Sequence, residues 1–376
     1  MENNRIVVGM SGGVDSSVAA LLLKEQGLDV VGVFMKNWDE KDENGTCTAA
    51  NDWEDVQSVC DVIGIPCYSV NFEKEYQERV FTYFLDEYRK GRTPNPDVLC
   101  NREIKFKAFL NYAVKLGAAG MATGHFVKKE IRDGHTVLLK GDDPNKDQSY
   151  FLYMLKESQV AFARFPVGGM TKPQVRELAK KAGLPIYQKK DSTGVCFIGE
   201  RNFRQFLQNY LPMQPGEMQT EQGEVVGRHI GLSYYTLGQR RGLDIGGCGD
   251  GRRWFVIGKD LKRNVLIVAQ GEDSPRLYSR YIKASQITWI ADHPPMKDGE
   301  SYRCCARFRY RQGDQPVTVV THGDEMYIEA DELQRAITPG QSVVLYQGDV
   351  CLGGAIADNA AMDMENLTLA DGKEER

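Results

Sequence analysis

Three short segments of this 376-residue chain combine residue types that could carry chemistry. One is the glycine-rich loop Gly9, Met10, Ser11, Gly12, Gly13, Val14, Asp15 and Ser16, and the others surround Cys100 (TPNPDVLCN) and Cys196 (STGVCFIGE). Glycines let successive backbone N–H groups converge on an anion, and serine hydroxyls can donate to the same oxygens. A cysteine flanked by basic residues has a stabilised thiolate, which is the nucleophilic form. The combination points to a phosphate-bearing substrate and to thiol chemistry.

The glycine-rich loop joins an apolar run to a helical pattern. Residues 5–10 (RIVVGM) form the run, apolar residues recur at helical spacing over 14–22, and Gly27 supplies a stop. The loop lacks the lysine of G-x-x-x-x-G-K-[ST] and does not match G-x-G-x-x-G. A lone Gly-Gly would fit a plain turn, but the full string S-G-G-x-D-S between strand and helix favours phosphate binding.

The nine cysteines do not form a disulfide or zinc pattern. Their number is odd, no C-x-x-C occurs, and the five histidines do not pair with cysteines at zinc-finger spacing. Cys100 and Cys196 stand out because each lies in a loop beside basic residues, and a helix is predicted to begin directly after Cys100. From spacing alone, a functional and a structural role are equally open for both.

The rest of the pattern predicts the elements that must position these residues. Strands at 5–10, 28–38, 66–70 and 118–126 alternate with helices at 53–64, 73–90 and 101–117. Residues 142–210 are predicted to be mainly helical, with Pro173 in the first turn of one helix and Gly183 at its end. This alternation predicts an α/β fold with an N-terminal doubly wound parallel sheet over residues 1–210.

The pattern changes near residue 211, where short β-type runs separated by glycine-rich turns begin. They predict a small β-rich central domain at 211–275 and a C-terminal β-barrel at 276–376. The last residues, 364–376, have little to bury and are expected to fray.

Composition narrows the class of protein. Hydrophobic residues make up 41% and charged residues 26%, both ordinary globular values, and no apolar run approaches the roughly 20 residues that span a bilayer. The N-terminus lacks a secretory signal, so a cytoplasmic protein is expected. The net charge of −5 disfavours binding of nucleic acid by bulk charge. Two segments are nevertheless basic: residues 227–263 carry eight Lys or Arg against three acids, and 301–311 carry four Arg and no acid. They indicate local surfaces that follow a phosphate backbone.

The string SGGVDS resembles the PP-loop of the ATP pyrophosphatase superfamily, whose members cleave ATP to AMP and pyrophosphate and activate a carbonyl oxygen with AMP. The resemblance implies that Gly9 to Ser16 hold the pyrophosphate end of ATP, that Met35 borders the adenine, and that Gly124 is a further contact. It also implies Mg²⁺ on the phosphates, with no protein ligand identified. The loop alone does not choose among members that make GMP, NAD, asparagine, lysidine or thiolated bases.

Four further strings resemble the tRNA-specific 2-thiouridylase family (MnmA/TrmU). They are NPDVLCN, STGVCFIGER, GLSYYTLGQRRGL at 231–243 and ARFRYR at 306–311, and they fall in all three predicted domains. The resemblance implies ATP-dependent replacement of the 2-oxygen of a wobble uridine in tRNA by sulfur. Adenylation would make AMP the leaving group, and a cysteine persulfide would supply the sulfur.

The same resemblance implies roles for individual residues. Cys196 would carry the persulfide, Cys100 would be the nucleophile or the resolving thiol, and the cycle would end with a Cys100–Cys196 disulfide. Asp97 is a candidate general acid/base. The implied tRNA contacts are Asn95, Pro96 and Asp97 at the base, His125, Lys146, Asp147 and Gln148, and Arg309, Tyr310 and Gln341 in the barrel.

The implied partners are a tRNA with a wobble uridine (of the lysine, glutamate or glutamine type) and a persulfide donor protein, such as a cysteine desulfurase or a sulfur-relay protein. A monomer is expected.

Other interpretations use the same loop. A glutamine-fed amidating ligase would need a glutaminase, for which no recognisable string occurs, and a lysidine-forming enzyme would need neither cysteine. An iron–sulfur tRNA thiolase would need more closely grouped cysteines. A non-catalytic tRNA-binding protein with a vestigial nucleotide fold is disfavoured by the intact SGGVDS loop and the two embedded cysteines.

Overall fold

The computed structural model describes residues 3–38, 48–191, 203–246 and 249–371. Cys100 is therefore described, whereas Cys196 lies outside these ranges. The distance between Cys100 and Cys196 is accordingly outside the description as well. No helix in the described ranges is long and apolar enough to cross a membrane.

The described residues up to Ala122 alternate strands and helices, as the sequence predicted. In chain order the elements are β1 (Arg5–Met10), α1 (Val14–Glu25), β2 (Asp29–Lys36), α2 (Thr48–Ile63), β3 (Cys67–Asn71), α3 (Glu73–Tyr76), a π-helical turn (Gln77–Phe81), α4 (Thr82–Arg89), α5 (Pro96–Leu99), a π-helix (Cys100–Phe109), α6 (Leu110–Lys115) and β4 (Gly120–Ala122).

The next stretch adds a β-hairpin and short helices. Its elements are β5 (Val127–Arg132), β6 (His135–Lys140), a 3₁₀ turn (Ser149–Phe151), α7 (Glu157–Phe162), β7 (Ala163–Arg164), α8 (Lys172–Lys181) and α9 (Phe203–Gln208). The prediction that residues 142–210 are mainly helical is wrong, because short helices cover less than half of the described residues there and loops join them. Pro173 lies in the first turn of α8 and Gly183, with φ of +68°, follows its end, which confirms both sequence signals.

Five strands form a parallel sheet in the order β3-β2-β1-β4-β7. Its central strand β1 pairs Val8 with Gly32 on one side and with Ala122 on the other. Ile6, Val7 and Val8 are fully buried, because helices cover both faces of the sheet. The predicted α/β class and parallel sheet are therefore confirmed.

Two β modules follow, as predicted. The central one is a four-stranded sheet, ordered β10-β11-β8-β9, made of β8 (Gly216–Gln219), β9 (Val225–His229), β10 (Trp254–Asp260) and β11 (Val265–Gln270), with 3₁₀ turns at Leu232–Tyr234 and Pro275–Leu277. The C-terminal one contains β12 (Tyr278–Trp289), β13 (Ser301–Arg307), β14 (Gln315–His322), β15 (Glu325–Arg335), β16 (Ser342–Gln347), β17 (Val350–Ala361) and α10 (Met364–Asp371). Pairing of β12 with β17 closes this module into an antiparallel barrel.

The hairpin β5–β6 crosses from the N-terminal half to the barrel, which the sequence analysis did not predict. Leu138 and Leu139 of β6 pair with Cys351 and Val350 of β17. The barrel sheet is thereby extended by two strands that lie 210 residues earlier in the chain.

Several predicted boundaries are wrong. The helix expected at 53–64 begins at Thr48, and the strand expected at 118–126 covers only Gly120–Ala122. Two further differences have a clear physical reason. The helix expected at 101–117 begins at Pro96, because Asn95 caps it through its side chain and Pro96 fits the first helical position. The tail expected to fray from residue 364 forms α10 up to Asp371, and Leu367 is buried against the barrel, since an apolar side chain there finds a surface to cover.

A buried charge network joins the hairpin region to the barrel. Asp147, 4% exposed, accepts hydrogen bonds from the Gly141 and Ser149 N–H groups and pairs with Arg307 Nη1 at 2.7 Å. Arg307 also pairs with Asp314, which Lys140 contacts as well. The buried Asp147 carboxylate is thus paired with an arginine from the barrel.

We predict that Arg307→Met lowers the free energy of unfolding by about 3–5 kcal/mol, because it leaves the Asp147 carboxylate buried without its cation. Arg303→Met is the matched control, since Arg303 and Asp331 form an exposed pair on the same barrel, which should contribute less than about 1 kcal/mol. Urea unfolding compares the two, and equal midpoints would contradict the prediction.

Candidate active site

The glycine-rich loop lies between the carboxyl end of β1 and the first turn of α1. Gly12 has φ of +71°, and Gly13 precedes α1 without a side-chain cap, so the first N–H groups of the helix have no side-chain acceptor there. The Ser11 N–H donates to Ser16 Oγ at 3.2 Å, and the Ser11 and Ser16 hydroxyls are 3.1 Å apart. Backbone donors and two hydroxyls therefore gather at one helix N-terminus, which suits an anion.

Tight backbone packing fixes the shape of this loop. A Cβ at Gly124 would lie 2.5 Å from the backbone nitrogen of Ser16 and 2.6 Å from the carbonyl carbon of Asp15. A Cβ at Gly9 would lie 3.0 Å from Cε of Met35 and 3.2 Å from the Phe109 ring. The structure thus brings Gly124 and Met35 to the loop. Their expected contact with a nucleotide stays a prediction.

Asp15 of the loop is held by Lys172, which the sequence analysis missed. Lys172 Nζ lies 2.7 Å from Asp15 Oδ1 and 2.7 Å from Asp191 Oδ1, and its side chain is 10% exposed. Burial raises the pKa of the Asp15 carboxyl, while Lys172 opposes the rise. A signal existed: Lys172 opens α8, and a cation at a helix N-terminus is disfavoured by the helix dipole unless an anion compensates it.

Asp191 gathers three cations. Besides Lys172, it accepts from Lys146 Nζ at 2.5 Å and from Arg176 Nη2 at 2.6 Å. Burial alone would raise the pKa of Asp191, but Lys146 and Lys172 together lower it to about 2. Lys146, expected from the resemblance to contact tRNA, therefore also belongs to the ion-pair cluster behind the loop.

Cys100 lies in a continuous helical run from Pro96 to Lys115, at the first residue of the π-helix. It is 1% exposed and packs in the main core cluster. The expectation of a thiol at a helix N-terminus is wrong, because Asn95 and Pro96 start the helix four residues earlier. The widened π-helix is of a kind often found at functional sites.

Asp97 and His125 lie within the electrostatic reach of Lys105. Burial raises the pKa of the Asp97 carboxyl, and the Lys105 charge opposes that rise. Burial and the same lysine lower the pKa of His125 well below its usual range, so its imidazole is neutral at pH 7. His125 Nδ1 lies 2.8 Å from Thr123 Oγ1. Lys105 follows Cys100 by five residues in the sequence, and its charge acts on both Asp97 and His125.

The other residues expected to contact tRNA have partners within the protein. Gln148 Oε1 accepts from the Phe126 N–H at 2.9 Å, and Gln341 Nε2 donates to the Thr93 carbonyl at 2.6 Å. Arg309 Nη2 donates to the Ala336 carbonyl. A tRNA contact of these side chains stays a prediction.

Tyr310 connects the barrel to the helix that carries Cys100. The centroid of its ring lies 4.4 Å from that of Phe151, and Asn101 Nδ2 donates to the Phe151 carbonyl at 3.2 Å.

Asp147 differs from the other expected contacts because its buried carboxylate is held by Arg307. A contact of Asp147 with tRNA likewise stays a prediction.

Family models cover most of the chain. A model described as tRNA methyl transferase HUP domain matches residues 4–200, one described as tRNA methyl transferase PRC-barrel domain matches 204–270, and one described as Aminomethyltransferase beta-barrel domain matches 279–357. The predicted domain boundaries at 210/211 and 275/276 remain predictions.

Full-length relatives also match. The chain is 60% identical over 368 residues to the tRNA-specific 2-thiouridylase MnmA of Exiguobacterium sibiricum, covering 98% of this chain and 97% of the relative. It is 59% identical over 364 residues to the enzyme of that name from Bacillus cytotoxicus, covering 96% and 97%. The U34-tRNA thiolase NcsA from Methanococcus maripaludis is a partial structural match, with a TM-score of 0.33, 20% identity, and coverage of 52% of this chain and 62% of that one.

A parallel sheet with S-G-G-x-D-S after its first strand, followed by a small β module and a barrel, defines a nucleotide-binding enzyme of the PP-loop type. The full-length matches specify the family. The chain belongs to the tRNA-specific 2-thiouridylase family, whose members are tRNA sulfurtransferases.

We predict that Gly124→Ala lowers ATP-dependent turnover by about 100-fold, because the new Cβ would displace the backbone at Asp15 and Ser16 and a shift of that size spoils the alignment of reacting groups. Gly169→Ala is the matched control, since its Cβ would meet its nearest atom at 3.7 Å. Pyrophosphate release measures both, and equal rates in the two variants would contradict the assignment of the loop.

Proposed function

We propose that this protein replaces the 2-oxygen of the wobble uridine of tRNA with sulfur and consumes ATP in doing so. The observation that supports this most is the course of the helical run from Pro96 to Lys115. Asn95 caps the run and Asp97 lies in its first turn. The run also carries Cys100, and its Phe109 packs close to Gly9 of the glycine-rich loop. One rigid element thereby links a thiol and a carboxylate to the loop that would hold ATP.

The chemistry requires activation of the uracil. A uracil C2 carbonyl is a poor electrophile and its oxygen a poor leaving group, so the oxygen first attacks the α-phosphorus of ATP and releases pyrophosphate. Sulfur then replaces AMP, which leaves with the former carbonyl oxygen. Gly9 to Ser16 would hold the phosphates through backbone N–H groups and the Ser11 and Ser16 hydroxyls.

Mg²⁺ bound to the phosphates would offset their negative charge. Among the described residues, no three His, Cys, Asp or Glu side chains form a metal-binding group. The phosphates would therefore supply most ligands, and the acidic residue within the loop, Asp15, is held by Lys172.

Sulfur transfer would use both unusual cysteines. A persulfide on Cys196, loaded by a donor protein, supplies the terminal sulfur either directly to C2 or as hydrosulfide. In either route the Cys100 thiolate attacks the Sγ of Cys196 and forms a Cys100–Cys196 disulfide. The terminal sulfur of the persulfide is thereby released from Cys196 and ends on the base. Two electrons from a cellular thiol reductant then restore both thiols.

Asp97 would accept the N3 proton of the uridine as the oxygen is adenylated. Its burial and raised pKa fit an acid/base group. Asn95 and Pro96 would hold the flipped base beside it, and neutral His125 would approach from the loop after β4.

The surface that binds the rest of the tRNA would comprise Lys146, Asp147, Gln148, Arg309, Tyr310 and Gln341. Tyr310 supports this assignment because it touches Phe151, whose carbonyl holds Asn101 beside Cys100. A soluble cytoplasmic monomer that recruits a persulfide donor completes the proposal.

The decisive test incubates the protein with ATP, Mg²⁺, a persulfide donor and unmodified tRNA, and then determines nucleoside masses. We expect one sulfur in place of one oxygen on the wobble uridine. Cys196→Ala should abolish this gain while pyrophosphate release continues, because adenylation does not need the sulfur carrier. Cys305→Ala, a part-buried barrel cysteine, is the matched control and should retain thiolation. Thiolation by the Cys196→Ala variant would show that the carrier is assigned wrongly.

The raised pKa of Asp97 predicts how the rate of thiolation depends on pH. A base must be ionised, and burial raises the pKa of Asp97 above the ordinary value of about 3.9, so thiolation should fall on the acidic side at a higher pH than an unperturbed carboxylate would give. Asp97→Asn should remove this limb and lower the rate by about 100-fold or more. Asp142→Asn, an exposed residue paired with Lys128, should keep the wild-type profile. An acidic limb that persists in Asp97→Asn would exclude Asp97 as the base.

A further inference from the structure

The turn between α4 and α5 is held by all three parts of the chain. It consists of residues 90–95, and Gly91 within it has φ of +72°. From the central β module, Lys259 Nζ donates to the Gly91 carbonyl at 2.9 Å, and Ser233 Oγ donates to the Tyr88 carbonyl at 3.1 Å. The backbone leading into the turn is thus fixed by side chains that lie far along the chain.

The barrel fixes the second half of the turn. The Thr93 N–H donates to the Pro339 carbonyl at 2.8 Å, and the Thr93 carbonyl accepts from Gln341 Nε2 at 2.6 Å. Gly340 approaches so closely that a Cβ there would lie 2.9 Å from the Thr93 nitrogen. Both backbone groups of Thr93 are therefore satisfied by the barrel rather than by the domain to which Thr93 belongs.

Arg92 is the charged centre of this junction. Its Nε lies 2.6 Å from Glu87 Oε2, and its Nη1 lies 2.8 Å from Asp358 Oδ1 of β17. Glu87 is only 4% exposed, so its carboxylate needs a cation, and Lys90, its other partner, has a side chain that is 64% exposed. One guanidinium therefore bridges a buried carboxylate of α4 and a carboxylate of the barrel, which its planar fork allows.

Arg92 precedes the base-binding residues at short range. Asn95, the cap of the helical run, is three residues further on, and Asp97 follows in the first turn of that run. Because Pro94 and Pro96 restrict the backbone between them, a displacement at Arg92 passes to Asn95 and Asp97 rather than being absorbed. The position of these two residues is thus set by the barrel through Arg92 and Thr93.

We propose that Arg92 is a positioning residue, which through Glu87 and Asp358 locks the turn carrying Asn95 and Asp97 to the barrel. This rests on the proposed function, in which the barrel binds the body of the tRNA and Asn95 and Asp97 receive the base. The lock keeps the base-binding residues at a fixed distance from the residues that grip the tRNA. Arg92 itself touches neither base nor ATP.

A positioning role predicts a particular kinetic pattern. The tRNA body would still bind to the barrel and the central module when the lock is broken, so KM for tRNA should change by less than about threefold. The base would meet a misplaced Asp97, and misplacements of about 1 Å cost up to about 100-fold in rate. We therefore expect kcat for thiolation to fall about 10- to 100-fold.

The experiment measures kcat and KM for tRNA in Arg92→Lys, Arg92→Met, Asp358→Asn and the Arg92→Met/Asp358→Asn double variant, with melting curves to give the folded fraction. Arg92→Lys keeps a cation beside Glu87 while it gives up the bridge to Asp358. If Arg92 acts through Asp358, the double variant should lose no more activity than Arg92→Met alone. Arg5→Met and Asp29→Asn break an exposed pair at the start of β1 and β2, away from the proposed tRNA surface, and should retain wild-type kinetics.

Three outcomes would overturn the role of Arg92: kcat within threefold of wild type in both Arg92→Lys and Asp358→Asn, a loss that appears entirely in KM, or additive losses in the double variant. If Arg92→Met fails to fold, the other two single variants decide. A wild-type protein that makes no 2-thiouridine would overturn the proposed function together with this role, whereas a working wild type with unaffected variants overturns the role alone.

Discussion

The helical run from Pro96 to Lys115 determines how the thiol, the carboxylate and the nucleotide loop are arranged. Its first residues are capped by Asn95 next to the barrel, and its middle packs Phe109 close to Gly9 at the end of β1. A helix is stiff over this length, so a shift at either end moves Asp97 and Cys100 relative to the loop. The depth of Cys100 follows from the same arrangement, because the side of the run that carries it faces the main core.

Local signals in the sequence were sufficient for the elements but not for their partners. Glycine stops, the β-branched runs and Pro173 predicted α1, β1 and α8 close to their observed ends. The hairpin β5–β6 also had a local signal, because Asp133 and Gly134 both adopt positive φ, as two-residue hairpin turns require. Its pairing with β17 had none, since such a contact depends on chain segments 210 residues apart.

Cys100 shows where pattern reasoning went wrong. The sequence analysis placed Cys100 in a loop with the helix beginning after it, yet proline is favoured at the first position of a helix when a capping residue precedes it. Asn95 supplies that cap, so Pro96 starts the helix and Cys100 falls beyond its first turn. The motif was still informative, because its Asn95 caps the helix by accepting from the Asp97 N–H, which fixes these two residues relative to each other.

Counts of basic residues overstated the free positive charge. Lys259 lies inside the junction with the turn 90–95, where burial lowers its pKa to about 8, and Arg252 and Arg263 pair with nearby acids. In the basic segment 301–311, Arg307 is committed to Asp147 and Asp314. Such pairings depend on tertiary structure, which composition does not record.

In the ion-pair cluster behind the loop, the pairing of cations with carboxylates suits a site that would accept phosphates. Lys172 serves Asp15 and Asp191 together, while Asp191 also has Lys146 and Arg176. Phosphate oxygens on the loop would attract Lys172, and Asp191 would still keep two cations if Lys172 turned towards them. Asp15, whose buried carboxyl already has a raised pKa, would then be relieved by a proton or, under the proposed function, by a Mg²⁺ ion bound with ATP. The arrangement therefore allows the loop to exchange an internal ion pair for its substrate without leaving a buried charge unpaired.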